Sequence, residues 1–372
     1  MLDIKFIRNN IELVRQAIHN KNEKADLDAL LEIDEQRRKL QFAFDNLKAY
    51  QNSVSALIAQ KKKTGDNIEN ELKAMTNTAE AIKAISAHLS IVNEKLEKML
   101  LTIPNIPQAD VPVGRDESSN KIVKIWGEPK QFPFTPKDHL ELASQNKLLD
   151  LPRGAKISGS GFPLYTGEGA RIERALINFM LEFHLQKHHY TELMAPVIVN
   201  RKTMTGTGQL PKLEEDMYRI EKDDLFLIPT AEVPVINIFA DEVLSYKYLP
   251  QKFVAYTPCF RREAGSYGKE TKGLQRLHQF NKVELVHFTE PEKSAEALEQ
   301  ILSDAEDILQ AFNLHYRVVA LCTSDLSFAS QKTYDLEVWA PGTGKYLEVS
   351  SVSTFGEFQA RRANIRYKDK TG

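Results

Sequence analysis

Over the first hundred positions apolar residues recur every three or four places, and each such stripe predicts a helix with one buried face. Ile4, Ile7, Ile11, Val14 and Ile18 mark a short amphipathic helix over 2–20. From about Leu27 a longer run follows: Leu30, Ile33, Arg37, Leu40, Phe44, Leu47, Gln51, Val54 and Ile58. It breaks at Lys61-Lys62-Lys63-Thr64-Gly65-Asp66 and resumes with Ile68, Leu72, Met75, Ala79, Ile82, Ser86, Leu89, Asn93, Leu96 and Leu100. Two stripes of similar length around a short turn predict an antiparallel helical hairpin with coiled-coil seams, each arm ~50 Å long. Arg37, Gln51, Ser86 and Asn93 interrupt the seam and can fix its register. The pattern suits a self-packed structural hairpin and a binding arm equally. The lysine cluster is a solvated turn by default; at the end of a projecting arm it is well placed to meet a phosphate backbone.

Past Ile103 the pattern changes. Pro104 and Pro107 stop the helix, because proline has no backbone donor and disfavours helix in the residue before it. Residues 104–121 read as a linker, and from Ile122 strands and helices mix. A helix is expected over 169–189 and a strand over 191–199, where Pro196 implies an edge or a bulge. An amphipathic helix follows over 290–313, then strands near 316–321, 333–340 and 345–352. Gly154 to Gly161 is glycine- and serine-rich but lacks the lysine and spacing of a phosphate loop, so it reads as a flexible segment.

At 372 residues the chain has room for two or three domains. Lys plus Arg (49) nearly balances Asp plus Glu (51), so any nucleic-acid contact must come from local patches. Cys259 and Cys322 are too few and too far apart for a disulfide framework or a cysteine-based zinc site. The start has no apolar signal core, and no long uncharged apolar run follows, so no membrane partner and a cytoplasmic setting are expected. His184 and His188 lie four apart on one helical face, as a zinc pair would; with no acidic or cysteine third ligand at suitable spacing, a structural role is favoured.

The candidate chemistry lies between Phe253 and Phe288. A β-branched and aromatic run, 253–257, leads through Pro258-Cys259-Phe260 into Arg261-Arg262-Glu263. A loop with Gly265, Gly268, Lys269, Lys272 and Gly273 returns into the run 276–285. Alternation along a strand puts Arg276, His278, Phe280, Lys282 and Glu284 on one face and Leu277, Val283 and Leu285 on the other. An arginine fork grips phosphate or carboxylate, a ring stacks on a base for roughly 1–3 kcal/mol, and a glutamate holds an ammonium. An ordinary hairpin with a solvated polar face fits the same composition. Upstream, Thr230 and Glu232 pair a hydroxyl with a carboxylate, either as ligands or as a capped helix start with Thr230 at the cap.

Order narrows these alternatives. Phe-Arg-x-Glu, a Gly- and Lys-rich loop, then Arg-x-x-x-Phe-x-x-x-Glu resembles motif 2 of the class II aminoacyl-tRNA synthetases. Gly273-Leu274, Arg276-Leu277-His278-Gln279-Phe280 and Lys282-Val283-Glu284 are similar to the seryl-tRNA synthetase version. The resemblance implies an α+β fold: a helical tRNA-binding arm (1–103), a linker (104–121) and a catalytic domain (122–372) whose mixed, mainly antiparallel sheet is flanked by helices. It implies activation of L-serine with ATP and Mg2+, transfer to tRNA(Ser) and also tRNA(Sec), and a homodimer through the motif 1 region near 169–199. By the same resemblance Arg261 and Glu284 are catalytic, and Thr230, Ala231, Glu232, Arg261 and Glu284 bind serine. Arg261, Arg262, Glu263, Arg276, Phe280, Glu348, Val349, Ser350 and Ser351 bind ATP, with Glu348 and Ser351 on the metal. Phe358-Gln359-Ala360-Arg361-Arg362 also matches a family segment assigned to ATP and its magnesium. Strict alternation would pair Glu348 with Ser350, so Ser351 reaches the nucleotide only if the strand ends or bulges there. Arg262, Tyr267, Val352 and Thr354 depart slightly from the family pattern, and motif 3, with its γ-phosphate arginine, is expected beyond Gly372. The alternatives are a carrier-protein aminoacyl ligase and an RNA-binding or structural protein without catalysis.

Overall fold

The computed structural model describes residues 1–264 and 273–369. The centre of the expected hairpin loop, with Gly265, Tyr267, Gly268, Lys269 and Lys272, therefore lies outside the described residues, as do 370–372. Two compact units emerge: Leu2–Ile18 with Lys24–Ile103, and Met1 with His19–Glu23 and the chain from Pro104 onward.

The first unit is helical. The single helix expected over 2–20 is two, α1 (Ile4–Asn9) and α2 (Ile11–Asn20). Asn10 leaves helical geometry between them and its side-chain amide donates to the Phe6 carbonyl, a local bond that competes with the helix. The hairpin arms are α3 (Leu27–Thr64) and α4 (Glu69–Leu100). Asp26 caps α3, and Gly65 ends it in the left-handed region (φ +77°). The lysine cluster is thus the last turn of α3, where cations suit the helix dipole, and not the turn itself. Ile82, Leu89, Leu96 and Leu100 bury as expected, while Thr78 and Val92 take the buried places expected for Ala79 and Asn93. Arg37 does not merely interrupt the stripe. With Arg8 and Arg38 it surrounds the fully buried Asp34 carboxylate at 3.1–3.2 Å.

The second unit runs in order through β1 (Lys121–Trp126), α5 (His139–Gln145), α6 (Leu151–Ser158), α7 (Glu168–Lys187), β2 (Thr191–Glu192), β3 (Ile198–Asn200) and α8 (Arg201–Thr207). It continues with β4 (Arg219–Ile220), β5 (Leu225–Leu227), α9 (Glu232–Asn237), β6 (Val243–Ser245), β7 (Gln251–Phe260) and β8 (Gln279–Phe288). Last come α10 (Ser294–Ala311), β9 (Tyr316–Ala320), β10 (Lys332–Ala340), β11 (Lys345–Thr354), α11 (Phe358–Ala363) and β12 (Arg366–Lys368). Among the described residues strands order as β1-β9-β10-β11, β2-β7-β8, β3-β5-β4 and β12-β6, and of these pairings β2-β7 and β12-β6 are parallel. Leu298, Leu302 and Leu309 of α10 pack on Tyr316, Val318, Leu336 and Val352 of the four-stranded sheet. Each such buried side chain contributes about 1.5–3 kcal/mol.

Three expectations change here. The strand expected over 191–199 is split: β2 pairs with β7 and β3 with β5, and Pro196, which has no amide hydrogen for a ladder, lies in the gap. The segment 154–161 is largely helix, because Asp150 caps α6 and Pro152 occupies its first turn. Residues 104–121 are not a loose tether: the buried Asn105 amide donates to the Ala329 and Phe355 carbonyls, both at 2.8 Å, and Val111 packs on Val319, Leu321 and Leu326. Among the described residues no helix is long and apolar enough to cross a membrane.

Candidate active site

The site grows from the β7–β8 ladder. Directly opposed residues share a face, so Phe280, Lys282 and Glu284 stand with Cys259, Thr257 and Ala255. β8 begins only at Gln279, so strand alternation does not place Arg276 and His278. Leu277 is buried, and His278 donates its backbone N–H to the Gly161 carbonyl at 2.8 Å, stacks on Phe162 and hydrogen-bonds the Tyr218 hydroxyl at 2.7 Å. A Cβ on Gly161 (φ +80°) would fall 2.3 Å from that imidazole, so the close approach needs glycine. The strand start coincides with this stack; alternation could not reveal it.

Around Glu284 the polar groups converge. Thr230 Oγ1 donates to Glu284 Oε2 at 2.8 Å, Lys282 Nζ donates to Thr230 Oγ1 at 2.7 Å, and Lys282 pairs with Glu284 at 2.5 Å. Lys282 was on the expected face but not among the expected ligands. Ala231, rather than Thr230, caps α9, and the Thr230 hydroxyl accepts the Glu232 N–H at 3.3 Å. Ala231 is fully buried with Val235 and Phe253, which leaves any ligand contact to its backbone. Glu232 keeps some exposure as a residue, yet its carboxyl is enclosed. Burial first, then the neighbouring Glu284, pushes it up to about 7, against the pull of Gln359, Lys282 and Arg261.

Arg261 lies beside this cluster, its Nε donating to the Pro229 carbonyl at 3.4 Å and its guanidinium 5.2 Å from the Phe280 ring centre. Glu263 takes a left-handed backbone (φ +52°) and pairs with Arg276 at 3.1 Å. Arg262 turns to the Tyr218 ring, while Asp216 accepts from the backbone N–H groups of Arg262 and Ala264. Phe280 also borders a cavity of about 220 Å³ walled by Ile157, Phe162 and Tyr165.

β11 supplies the remaining carboxylate. Its register with β10 runs Ser351 opposite Asp335, Ser350 opposite Leu336, then Glu348 opposite Glu337, so Val349 is an extra, bulged residue. The bulge reverses strict alternation. Glu348 and Ser351 share the face of Glu337 and Asp335, while Ser350 lies with the core residue Leu336. Glu348 is open to solvent but crowded by protein atoms, and that desolvation pushes its carboxyl up against the opposing pull of Arg261. Burial, then Glu348, pushes Asp335 up to about 7, and its Oδ1 is buried without a hydrogen-bond partner. Asp335 carries no signal in the sequence that separates it from an ordinary strand residue, and Gln359, whose matching segment pointed to the nucleotide, reaches Glu232 rather than β11.

His184 and His188 belong to a different network. Their Nδ1 atoms are 2.8 Å apart, and His188 Nε2 meets Asp307 at 2.9 Å. Tyr190 donates to Asp304 and meets His287 at 2.7 Å. Burial pushes His184 and His287 down to about 4, which keeps both neutral near pH 7. Among the described residues no group of three or more His, Cys, Asp or Glu is placed to hold a metal.

Known proteins match both units. Residues 1–107 match the Seryl-tRNA synthetase N-terminal domain, and 214–372 match the tRNA synthetase class II core domain (G, H, P, S and T). The chain is 51% identical over 369 residues to the serine–tRNA ligase of Desulfosudis oleivorans, covering 99% of this chain and 87% of that protein. It is 50% identical to the one from Caldanaerobacter subterraneus, covering 100% and 88%. Among solved structures, seryl-tRNA synthetase from Pyrococcus horikoshii complexed with ATP matches with a TM-score of 0.93 at 35% identity, covering 100% of this chain and 88% of that one. The cytoplasmic serine–tRNA ligase from Naegleria fowleri in complex with AMP matches at 0.86 and 26%, covering 99% and 88%.

Proposed function

The chain belongs to the seryl-tRNA synthetases and works as an ATP-dependent serine–tRNA ligase, and from that premise we propose how its residues share the reaction. Thr230 and Glu284 receive the serine ammonium, and Glu232 accepts from its hydroxyl. That Lys282 Nζ already bonds both Thr230 and Glu284 supports a pair able to accept from a primary ammonium. Arg261 grips the serine carboxylate and the α-phosphate, which brings nucleophile and electrophile together while countering their charge. Phe280 stacks on adenine, and Glu263, held by Arg276, accepts from its amino group. Serine carboxylate then attacks the α-phosphate and pyrophosphate leaves; the terminal ribose hydroxyl of tRNA next attacks the seryl carbonyl, taking the seryl group as AMP departs.

Glu348 and Ser351 are the candidate ligands for Mg2+, which would neutralise phosphate charge when bound. Their shared face, the oxygen-only donor set and the unpartnered Asp335 Oδ1 beside Ser351 fit a hard cation that completes its shell with phosphate and water. The helical arm, with Lys61–Lys63 in the last turn of α3, is assigned to tRNA(Ser) and to tRNA(Sec). A homodimer through the motif 1 region is supported by Met194, 92% exposed, and by the exposed Ile172 and Ile198. The two free, buried cysteines suit a cytoplasmic setting.

The observation that carries this reading is the convergence of Thr230, Glu232 and Glu284 from two separate elements beside Arg261 and Phe280. Serine-dependent ATP–pyrophosphate exchange tests it. Glu232→Ala should lower kcat/KM for serine about 10- to 100-fold, the worth of one hydrogen bond to a charged group, with alanine use little changed. An unaltered serine-to-alanine ratio would place hydroxyl recognition elsewhere.

A further inference from the structure

Gln359 sits in the first turn of α11 and is only 4% exposed. Its side-chain nitrogen donates to the Thr207 carbonyl at 3.1 Å and to Glu232 Oε1. Both neighbours are acceptors in the ionised state of Glu232, so the amide can face them only with its nitrogen. The frame behind it is fixed as well. Arg362, one turn further along α11, donates to the Thr205 carbonyl at 2.8 Å and to the Leu210 carbonyl at 2.6 Å, which clamps α11 to the end of α8.

The groups facing Glu232 are Glu284 and Lys282 from β8, Arg261 beyond β7, and Gln359 from α11. Burial and Glu284 favour the protonated carboxyl, and the Gln359 amide is the first of the influences that oppose it. A protonated Glu232 would itself offer a proton. An ionised one with Oε1 already engaged by Gln359 presents its other oxygen purely as an acceptor. Only the second state demands a donor from the amino acid side chain. Serine has that donor; alanine does not, and binding alanine would leave a buried acceptor unpaired.

We propose that Gln359 is a positioning residue for amino-acid selection, orienting Glu232 and holding it as a hydrogen-bond acceptor for the serine hydroxyl. The proposal rests on the reading of Glu232 given above and extends it to a residue 127 positions away in the sequence. It also separates Gln359 from the nucleotide end of the site, where its family segment would otherwise place it.

The test uses the full chain and sulfamoyl analogues of seryl-adenylate and alanyl-adenylate as probes, measured by equilibrium binding between pH 6 and 9, with ATP affinity as a control. Gln359→Met removes both donors at similar size, and Gln359→Glu keeps the shape while placing a second carboxyl against Glu232. Each should lower the preference for the seryl over the alanyl analogue by about tenfold or more, with ATP affinity changed less than about twofold. In Gln359→Met the acidic limb of seryl-analogue binding should move to higher pH, because a donor to the charged form is gone. Gln359→Glu should recover part of its loss at the acid end, where a shared proton restores a donor. An unchanged preference in the isosteric Gln359→Glu, or an equal loss for both analogues and ATP, would overturn the proposal. Selectivity lost in Glu232→Ala but kept in both Gln359 variants would sink this inference alone. Selectivity kept in Glu232→Ala would sink the reading beneath it.

Discussion

Each unit buries a carboxylate, and the two are treated in opposite ways. In the helical arm Asp34 is fully buried but meets three arginines, Arg8, Arg37 and Arg38, at 3.1–3.2 Å. In the catalytic unit the Glu232 carboxyl is enclosed beside another carboxylate, Glu284, and its ordinary value is pushed up to about 7. The first charge is compensated several times over, and its ion pair with Arg8 ties α1 to α3. The second is left near the balance between charged and neutral, as the proposed role of acceptor for a substrate hydroxyl would require. A buried ion with complete local partners reads as architecture; one short of a partner and crowded by like charge reads as a site.

The strongest way to sharpen this contrast is to separate the units. Replacing Leu30 to Leu96 with a short glycine–serine link should reduce tRNA charging at least a hundredfold and leave serine-dependent pyrophosphate exchange near its starting value. Charging that survives the deletion would end the assignment of tRNA binding to the arm.

The next test breaks the compensated carboxylate. Asp34→Ala should destabilise the arm by about 1–3 kcal/mol; the three arginines are 25–48% exposed and can turn to water, which limits the loss. Helical melting followed by circular dichroism reads this, and pyrophosphate exchange should not move. A Tm unchanged within error would mean that Asp34 is not the tie between α1 and α3.

The smallest effect is a slope. The folded chain holds the Glu232 proton up to about pH 7, whereas the unfolded chain loses it near pH 4.5. Between those values the folded state binds more protons, so this group's contribution to stability falls as pH rises. Glu232→Gln should flatten that part of the Tm-versus-pH curve by a few degrees. The same slope in wild type and variant would show that Glu232 is ordinarily ionised when folded.

The arm and the core of the site differ as much in how they are encoded. Helical period is a local property: Leu30, Ile33 and Val54 on one arm and Ile82, Leu89 and Leu96 on the other announce their face wherever the chain lies. The β7–β8 pair was legible for the same reason, and with it Phe280, Lys282 and Glu284 on one face. Local signals failed where a distant partner chose between alternatives. The stack of His278 on Phe162 and its hydrogen bond to Tyr218 accompany the start of β8 after Arg276. The pairing with β5 and β7 decided where 191–199 breaks around Pro196.

The sequence by itself determined the two-part organisation, the helical hairpin, the order of the motif 2 residues and the Thr230–Glu232 pair, because each depends on residue type and spacing within one element. Tertiary structure alone decided the bulge at Val349 that brings Ser351 to the side of Glu348, since a strand's register exists only against its neighbour. It alone turned Arg262 to Tyr218. And it alone set Gln359 against Glu232, because an amide finds a carboxylate across 127 residues only when packing has desolvated both.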